Sequence, residues 1–339
     1  GVTDEETIVK NVAGASRADF VALAHAAPFV ERAGVRFRHL DDERDPGLPA
    51  RLLDDLRPEV LLTGTSLKVA EDGRWWAAAR DRAIPSLAVL DHWANYAGRF
   101  SVAAPFDRLP DGIAVMDERA RQAMVKAGAP RERLLVTGQP AFDRALLAEL
   151  HGRDAARRAW GFHADEAVVL FASEPLRKDL GMTAGYDELD ALRALREALS
   201  GTRLRLVVRL HPREAPAAMR ARFPDVQLDV EQPGATAIAG ADAVVGMTSI
   251  FLLEAALYGM PTLSLQPTIA PAAVPGDCHE LVALARTAAE ACAWLTAPSR
   301  LRRLSRVERD RRNVGCGFQS GATERVLREV ERLRATRAV

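Results

Sequence analysis

The chain has 339 residues, 48% of them hydrophobic and 27% charged, which exceeds one ordinary α/β unit of roughly 100 to 200 residues and supplies a core for each of two halves. Lys plus Arg and Asp plus Glu both number 46, so the formal net charge is zero. No global field draws such a chain to nucleic acid or to an anionic membrane, and any anion site must be local. Cys278, Cys292 and Cys316 show no CxxC or Cys/His spacing, which argues against a zinc site or a disulfide framework and fits a reducing cytoplasm.

The chain opens at Gly1 without a methionine, and its first 16 residues are polar and weakly patterned, so a short native segment is expected ahead of it. No secretory leader is visible. From Phe20 short apolar runs alternate with helical patterns: FVALA, AAPFVERAG, VRFRHL, LPARLLDDL, EVLLTG, DGRWWAAARDRA and IPSLAVL. GIAVM (112–116), the helix pattern DERARQAMVKAG (117–128) and RLLVTG (133–138) complete a first Rossmann-like half. Strands alternating with helices predict a parallel sheet built from βαβ units. The domain crossing falls within the stretch from Gln139 through the Arg-rich helical segment to Trp160.

The same grammar then recurs in EAVVLFAS (166–173), YDELDALRALREALS (186–200), LRLVVRLHP (204–212), VQLDV (226–230), ADAVVGM (241–247), SIFLLEAALYG (249–259) and PTLSL (261–265). Val244 to Leu265 is the longest apolar stretch, but Glu254, Gly259 and Pro261 interrupt it, so it reads as buried strand, helix and strand rather than a membrane span. The expected organisation is an N-terminal domain over 1–145, a C-terminal domain over 146–320, and a tail helix over 321–339 that could pack across both. Val326, Leu327, Val330 and Leu333 lie on one side of that helix.

Three strand ends concentrate chemistry. The strand ADAVVGM runs into Thr248 and Ser249, hydroxyl residues that can cap the following helix, while the helix's open N–H groups and dipole suit a phosphate. Glu254 follows within that apolar helix, where a carboxylate needs a hydrogen-bonding partner such as a ribose diol or a local polar group. The strand LRLVVRL ends at His211 and Pro212, with Arg209, Arg213 and Glu214 around them, and ligands of open α/β sheets bind outside the carboxyl ends of strands.

The third is IPSLAVL, followed by Asp91, His92, Trp93, Asn95, Tyr96 and Arg99. That density of polar and aromatic groups suits a substrate site, with Asp91 or His92 as a base for an acceptor hydroxyl. Thr63, Gly64, Thr65 and Ser66 form a small hydroxyl-rich turn that admits close approach and could line the acceptor side. Ser173 and Glu174 open the second half after a strand, and Arg177 and Lys178 beside them could neutralise a diphosphate. Glu71, Asp72 and Gly73 resemble the acidic-acidic-Gly motif of bacterial sialyltransferases, where a carboxylate is the general base, and are read equally well as helix-start acidity.

The run from Thr248 through Glu254 to Gly259-Met260-Pro261 resembles the nucleotide-binding helix of UDP-N-acetylglucosamine 2-epimerases and related GT-B glycosyltransferases. Thr248 takes the place of the phosphate-binding serine, and Glu254 that of the ribose-binding glutamate. VTGQPAFD (136–143) resembles the V-x-G-N/Q-P-x-x-D crossing of the same families. His211-Pro212 paired with the downstream Thr-Ser resembles the motif pair of bacterial sialyltransferases, capsule Kdo transferases and teichoic-acid glycerophosphotransferases. In those families the histidine meets the donor phosphate or assists leaving-group departure.

The resemblance implies a GT-B fold: two Rossmann-like domains whose parallel sheets face a cleft that holds a nucleotide-activated donor. The expected function is a metal-independent glycosyltransferase of bacterial surface polysaccharide or glycoconjugate synthesis. Its co-substrate would be a CMP-, CDP- or UDP-linked sugar and its acceptor a saccharide or glycoconjugate, with no tightly bound cofactor, no nucleic-acid partner and at most peripheral membrane association. A nucleotide-sugar 2-epimerase or hydrolase, and a non-catalytic nucleotide-sugar-binding subunit, are the alternatives. The oligomeric state is open.

Overall fold

In the computed structural model, residues 20–22, 31, 36–39, 45–65, 72–181, 183–268, 274, 278–297 and 300–337 are described. By their contacts they divide into two units, one running over Ala145–Gly317 and the other over Val2–Arg144 together with Phe318–Val339. Each is built from parallel strands and helices, as the alternating pattern predicts.

In the N-terminal unit, β1 (Phe20–Ala22) pairs in parallel with β2 (Phe37–His39). A four-stranded parallel sheet follows in the order β3 (Leu61–Thr63), β4 (Ser86–Val89), β5 (Gly112–Val115) and β6 (Leu134–Val136). Strands β4 and β5 are buried on both faces, which is why they read as continuous apolar runs rather than as alternation. One face packs Trp76, Phe100, Phe106, Ile113, Val115 and Met124. The other receives the helix Ala322–Arg337, whose Val326 and Leu333 meet Leu87, Val89 and Ala114. The Asp143 carboxylate fixes the start of that helix by accepting from the N–H groups of Ala322 (3.0 Å) and Thr323 (2.9 Å) and from the Thr323 hydroxyl (2.8 Å).

The second unit holds a six-stranded parallel sheet, formed by β7 (Val168–Ala172), β8 (Arg205–Arg209), β9 (Gln227–Asp229), β10 (Ala243–Gly246), β11 (Thr262–Leu265) and β12 (Ala283–Ala285). Their spatial order is β9-β8-β7-β10-β11-β12. The chain therefore winds outward from β7 to one edge, then returns to start again at β10 beside β7. That reversal is a topological switch point, where the connections leave to opposite sides and open a crevice above the strand ends. Ala172 pairs with Gly246, so β7 and β10 end level with each other. Gly246 lets the strands and the following helix pack closely there: a Cβ on it would stand 3.0 Å from the Ala172 carbonyl oxygen and 3.1 Å from Leu252, tighter than ordinary contact.

Among the described residues no helix is long and apolar enough to cross a membrane. The same residues contain no group of three or more His, Cys, Asp or Glu side chains placed to hold a metal ion.

Candidate functional site

The switch point brings Glu174 and Thr248 together. Glu174 follows β7, and its half-buried carboxylate accepts from the Thr248 N–H and from the Thr248 hydroxyl at 3.0 and 3.1 Å. Burial pushes this carboxyl up to about 7, against the opposing pull of Thr248 and of the Ser249 N–H. Ser249 is the cap of the helix Ile250–Leu257, its hydroxyl accepting from the Phe251 N–H at 3.2 Å. Glu254 lies half-buried in that helix, one turn below its head.

His211 ends β8. Its Nδ1 accepts from the Arg213 N–H at 3.1 Å, so the neutral ring carries its proton on Nε2, which becomes a donor. Burial, helped by the Arg213 charge and opposed by Asp179, lowers its pKa and keeps the ring neutral near pH 7. Pro212 stiffens the turn that follows. Glu214 clamps this turn to β7, accepting from the His211 N–H and from the buried Ser173 hydroxyl, both at 2.8 Å. Arg213 pairs through both terminal nitrogens with Asp179, one contact being 2.7 Å. Arg177 pairs with the buried Asp187 at 3.2 Å and remains largely exposed. Arg209 is committed elsewhere, to Asp229 and the Gln232 carbonyl.

In the N-terminal unit the loop after β4 is organised by a buried cation. Arg99, 1% exposed, bonds the Asp91 carboxylate, the Thr65 hydroxyl and the Ala94 carbonyl. Thr65 also donates to Asp91 at 2.7 Å. Asn95 takes a left-handed backbone, φ 54°, which asparagine tolerates better than most residues, and turns the chain into the short helix Tyr96–Arg99. Gln139 adds a brace by donating to the carbonyls of Leu90 (3.3 Å) and Asp91 (3.2 Å).

His92 has a buried Nδ1 with no hydrogen-bond partner, and burial lowers its pKa against the raising effect of Asp91. Trp93 donates to Asp117 at 3.0 Å and stacks on Phe142 at 6.0 Å, with Phe318 edge-on at 6.4 Å. Tyr96 packs at the margin of the β4–β5 core. Thr63 accepts from the Trp76 indole at 3.0 Å, a structural bond under the same turn. A Cβ at Gly64 would meet no described atom within 4 Å, and Ser66 lies outside the described residues. Asp72 and Gly73 open the helix Asp72–Arg80.

Two groupings thus emerge from the residues singled out in the sequence: Ser173, Glu174, His211, Arg213, Thr248 and Ser249 around the ends of β7, β8 and β10, and Thr65, Asp91, His92 and Arg99 around the end of β4. Sequence reading passed over Asp179, Tyr186 and the clamping role of Glu214. Asp179 and Glu214 act through pairings 34 and 41 residues apart in sequence, for which a single chain carries no local signal.

No protein-family model matches the sequence. No curated protein matches it. Solved structures do. The UDP-GlcNAc 2-epimerase of Neisseria meningitidis bound to UDP-GlcNAc has a TM-score of 0.70 at 14% identity, covering 98% of this chain and 96% of its own. The Anabaena HepE structure in complex with UDP and glucose gives 0.65 at 12%, covering 98% and 96%. MurG of Acinetobacter baumannii gives 0.58 at 13%, covering 98% and 96%. At these identities the likeness shows the fold, which is the GT-B fold expected from the sequence.

Proposed function

We propose that this chain is a glycosyltransferase that takes a nucleotide-activated sugar, its nucleotide held by the Ala145–Gly317 unit. The observation that carries the reading is the meeting of Thr248 and Glu174 at the switch point of a Rossmann-ordered sheet, with His211 in the turn after the adjacent strand β8. Thr248 and the head of its helix offer the phosphate N–H and hydroxyl donors, and Glu254, one turn below, offers the ribose diol a carboxylate. Fold relatives crystallised with UDP-GlcNAc and with UDP support a uridine diphosphate donor. The His-Pro and Thr-Ser pairing, which resembles that of families whose donors are cytidine nucleotides, keeps these as the competing class.

Chemistry follows from the protonation states. His92, neutral near pH 7, removes the proton of an acceptor hydroxyl. The oxygen attacks the anomeric carbon, and the bond from that carbon to the nucleotide phosphate oxygen breaks with its electron pair on the phosphate. His211 Nε2–H, Thr248 and the helix dipole stabilise that developing charge without a metal ion. Asp91 holds Arg99 and so fixes the loop that presents His92. The setting would be bacterial surface polysaccharide or glycoconjugate assembly.

A thermal-shift panel of CMP, CDP, UMP, UDP, GDP and their sugar conjugates tests the binding claim, since a ligand of the native state raises apparent stability. Incubating the stabilising donor with saccharide acceptors then tests the reaction. A glycosylated acceptor supports the transferase. The presence of 2-epimerases among the fold relatives makes an isomerised donor, with no transfer, the result that would replace it with an epimerase. Binding without any turnover would make it a sensor or assembly subunit.

A further inference from the structure

The phosphate donors at the switch point already hold an anion of the chain's own. The Glu174 carboxylate accepts from the Thr248 N–H and hydroxyl, the groups a ligand phosphate would use. An ionised carboxylate and a phosphate that meet there would compete for the same donors and repel each other as like charges.

The surroundings make the charge of Glu174 easy to remove. Burial is the largest influence on its carboxyl and holds it near neutrality, at about 7. The charged and titratable groups that face it are Asp179, itself shared with Arg213, and Tyr186, with Arg286 beyond Tyr186. His211 and Glu214 on the neighbouring strand end are engaged with each other and with Ser173. Tyr186 supplies the second observation. It is 3% exposed, its hydroxyl has no hydrogen-bond partner, and it lies close enough for the Glu174 charge to help hold its proton in place. A buried hydroxyl without a partner is costly unless another state of the site satisfies it.

We propose that Glu174 is a proton-linked gate on this phosphate subsite: it takes up one proton from solvent as a nucleoside phosphate binds, and the neutral acid donates its O–H to a phosphate oxygen. Thr248 passes to the ligand, and the other carboxyl oxygen of Glu174 accepts from Tyr186. This rests on the placement of the nucleotide in the Ala145–Gly317 unit, which the experiment can judge separately.

The protein, wild type and Glu174→Gln, is titrated calorimetrically with UDP and CMP, and with uridine and cytidine, at about pH 6.5, 7.5 and 8.5. Titration of the ligand's own phosphate is common to both proteins and cancels in the comparison. Above about pH 7 the ratio of wild-type to Glu174→Gln affinity for the phosphate ligand should fall, approaching tenfold per pH unit, so that the variant overtakes wild type at the highest pH. Wild-type binding heats in buffers of different ionisation enthalpy should show uptake of a proton, a readout that survives if the variant does not fold. Nucleotide binding without proton uptake, or a pH slope in folded Glu174→Gln equal to that of wild type, overturns the gate and leaves the nucleotide assignment standing. No binding of any nucleotide at any of these pH values overturns both.

Discussion

At the residue scale, the two neighbours Asp91 and His92 have separable duties. Arg99 is buried and Asp91 is its charged partner, so Asp91→Asn leaves a guanidinium with only neutral acceptors. Because the Asp91 side chain is 42% exposed, water replaces part of the lost pairing, and the expected cost is about 1 to 2 kcal/mol, read as a lower urea midpoint. His92→Ala should cost little stability yet remove most turnover at unchanged donor affinity, the mark of a contact made in the transition state. Burial lowers the His92 pKa, so the acid limb of kcat/KM should have its midpoint below 6.5; a midpoint above that value would assign the base elsewhere. Glu174 gives a prediction of opposite sign. Its folded pKa of about 7 lies above its ordinary 4.5, so the folded state binds more protons and stability falls as pH rises between those values. Glu174→Gln should therefore be more stable than wild type above pH 7, by at most about 3 kcal/mol, and the gap should close near pH 4.5 in chemical unfolding.

At the element scale, the helix Ile250–Leu257 shows how capping and ligand binding divide between adjacent hydroxyls. Ser249 caps the helix and Thr248 meets Glu174. Ser249→Ala should cost about 1 kcal/mol of stability with nucleotide affinity nearly unchanged, whereas Thr248→Val should weaken nucleotide binding severalfold; equal effects on affinity would deny the division. The start of this helix was legible in the sequence because a buried apolar run, a glycine and two hydroxyls stand in succession. Which hydroxyl caps was not, since that depends on the carboxylate of Glu174, 74 residues away. Strand β12 and the helix Gly234–Gly240 left no periodic trace, being three and seven residues of mostly small side chains. His211-Pro212 was visible as a strand end, but the orientation of its ring depends on the Arg213 N–H and on the Glu214 clamp, both set by the turn after β8.

At the scale of the whole molecule, repetition of one strand-helix grammar was enough to expect parallel sheets, because only crossover connections join such strands. The order of the strands was not legible: the reversal that sets β10 beside β7, and hence Thr248 beside Glu174, leaves no mark on either strand's residues. Nor was the debt of the N-terminal unit to the last helix. Val326 and Leu333 were visible as an apolar stripe, but the surface they cover is formed by Leu87, Val89 and Ala114, more than 200 positions earlier. That sheet face is closed only after synthesis has passed through the other unit. Removing residues from Phe318 onward should therefore uncover β4 and β5 while leaving the six-stranded sheet its own core of Val169, Phe171, Val208, Val245 and Leu263. Asp143→Ala is the milder form, stripping three hydrogen bonds from the head of the helix at a cost of about 2 kcal/mol. Hydrogen exchange resolves the effect by segment: amides of β4 and β5 should exchange at least tenfold faster in Asp143→Ala, and those of β7 and β10 at the wild-type rate. Uniform acceleration in both sheets would mean that the two units unfold as one, and no acceleration in β4 and β5 would mean that the helix does not support them.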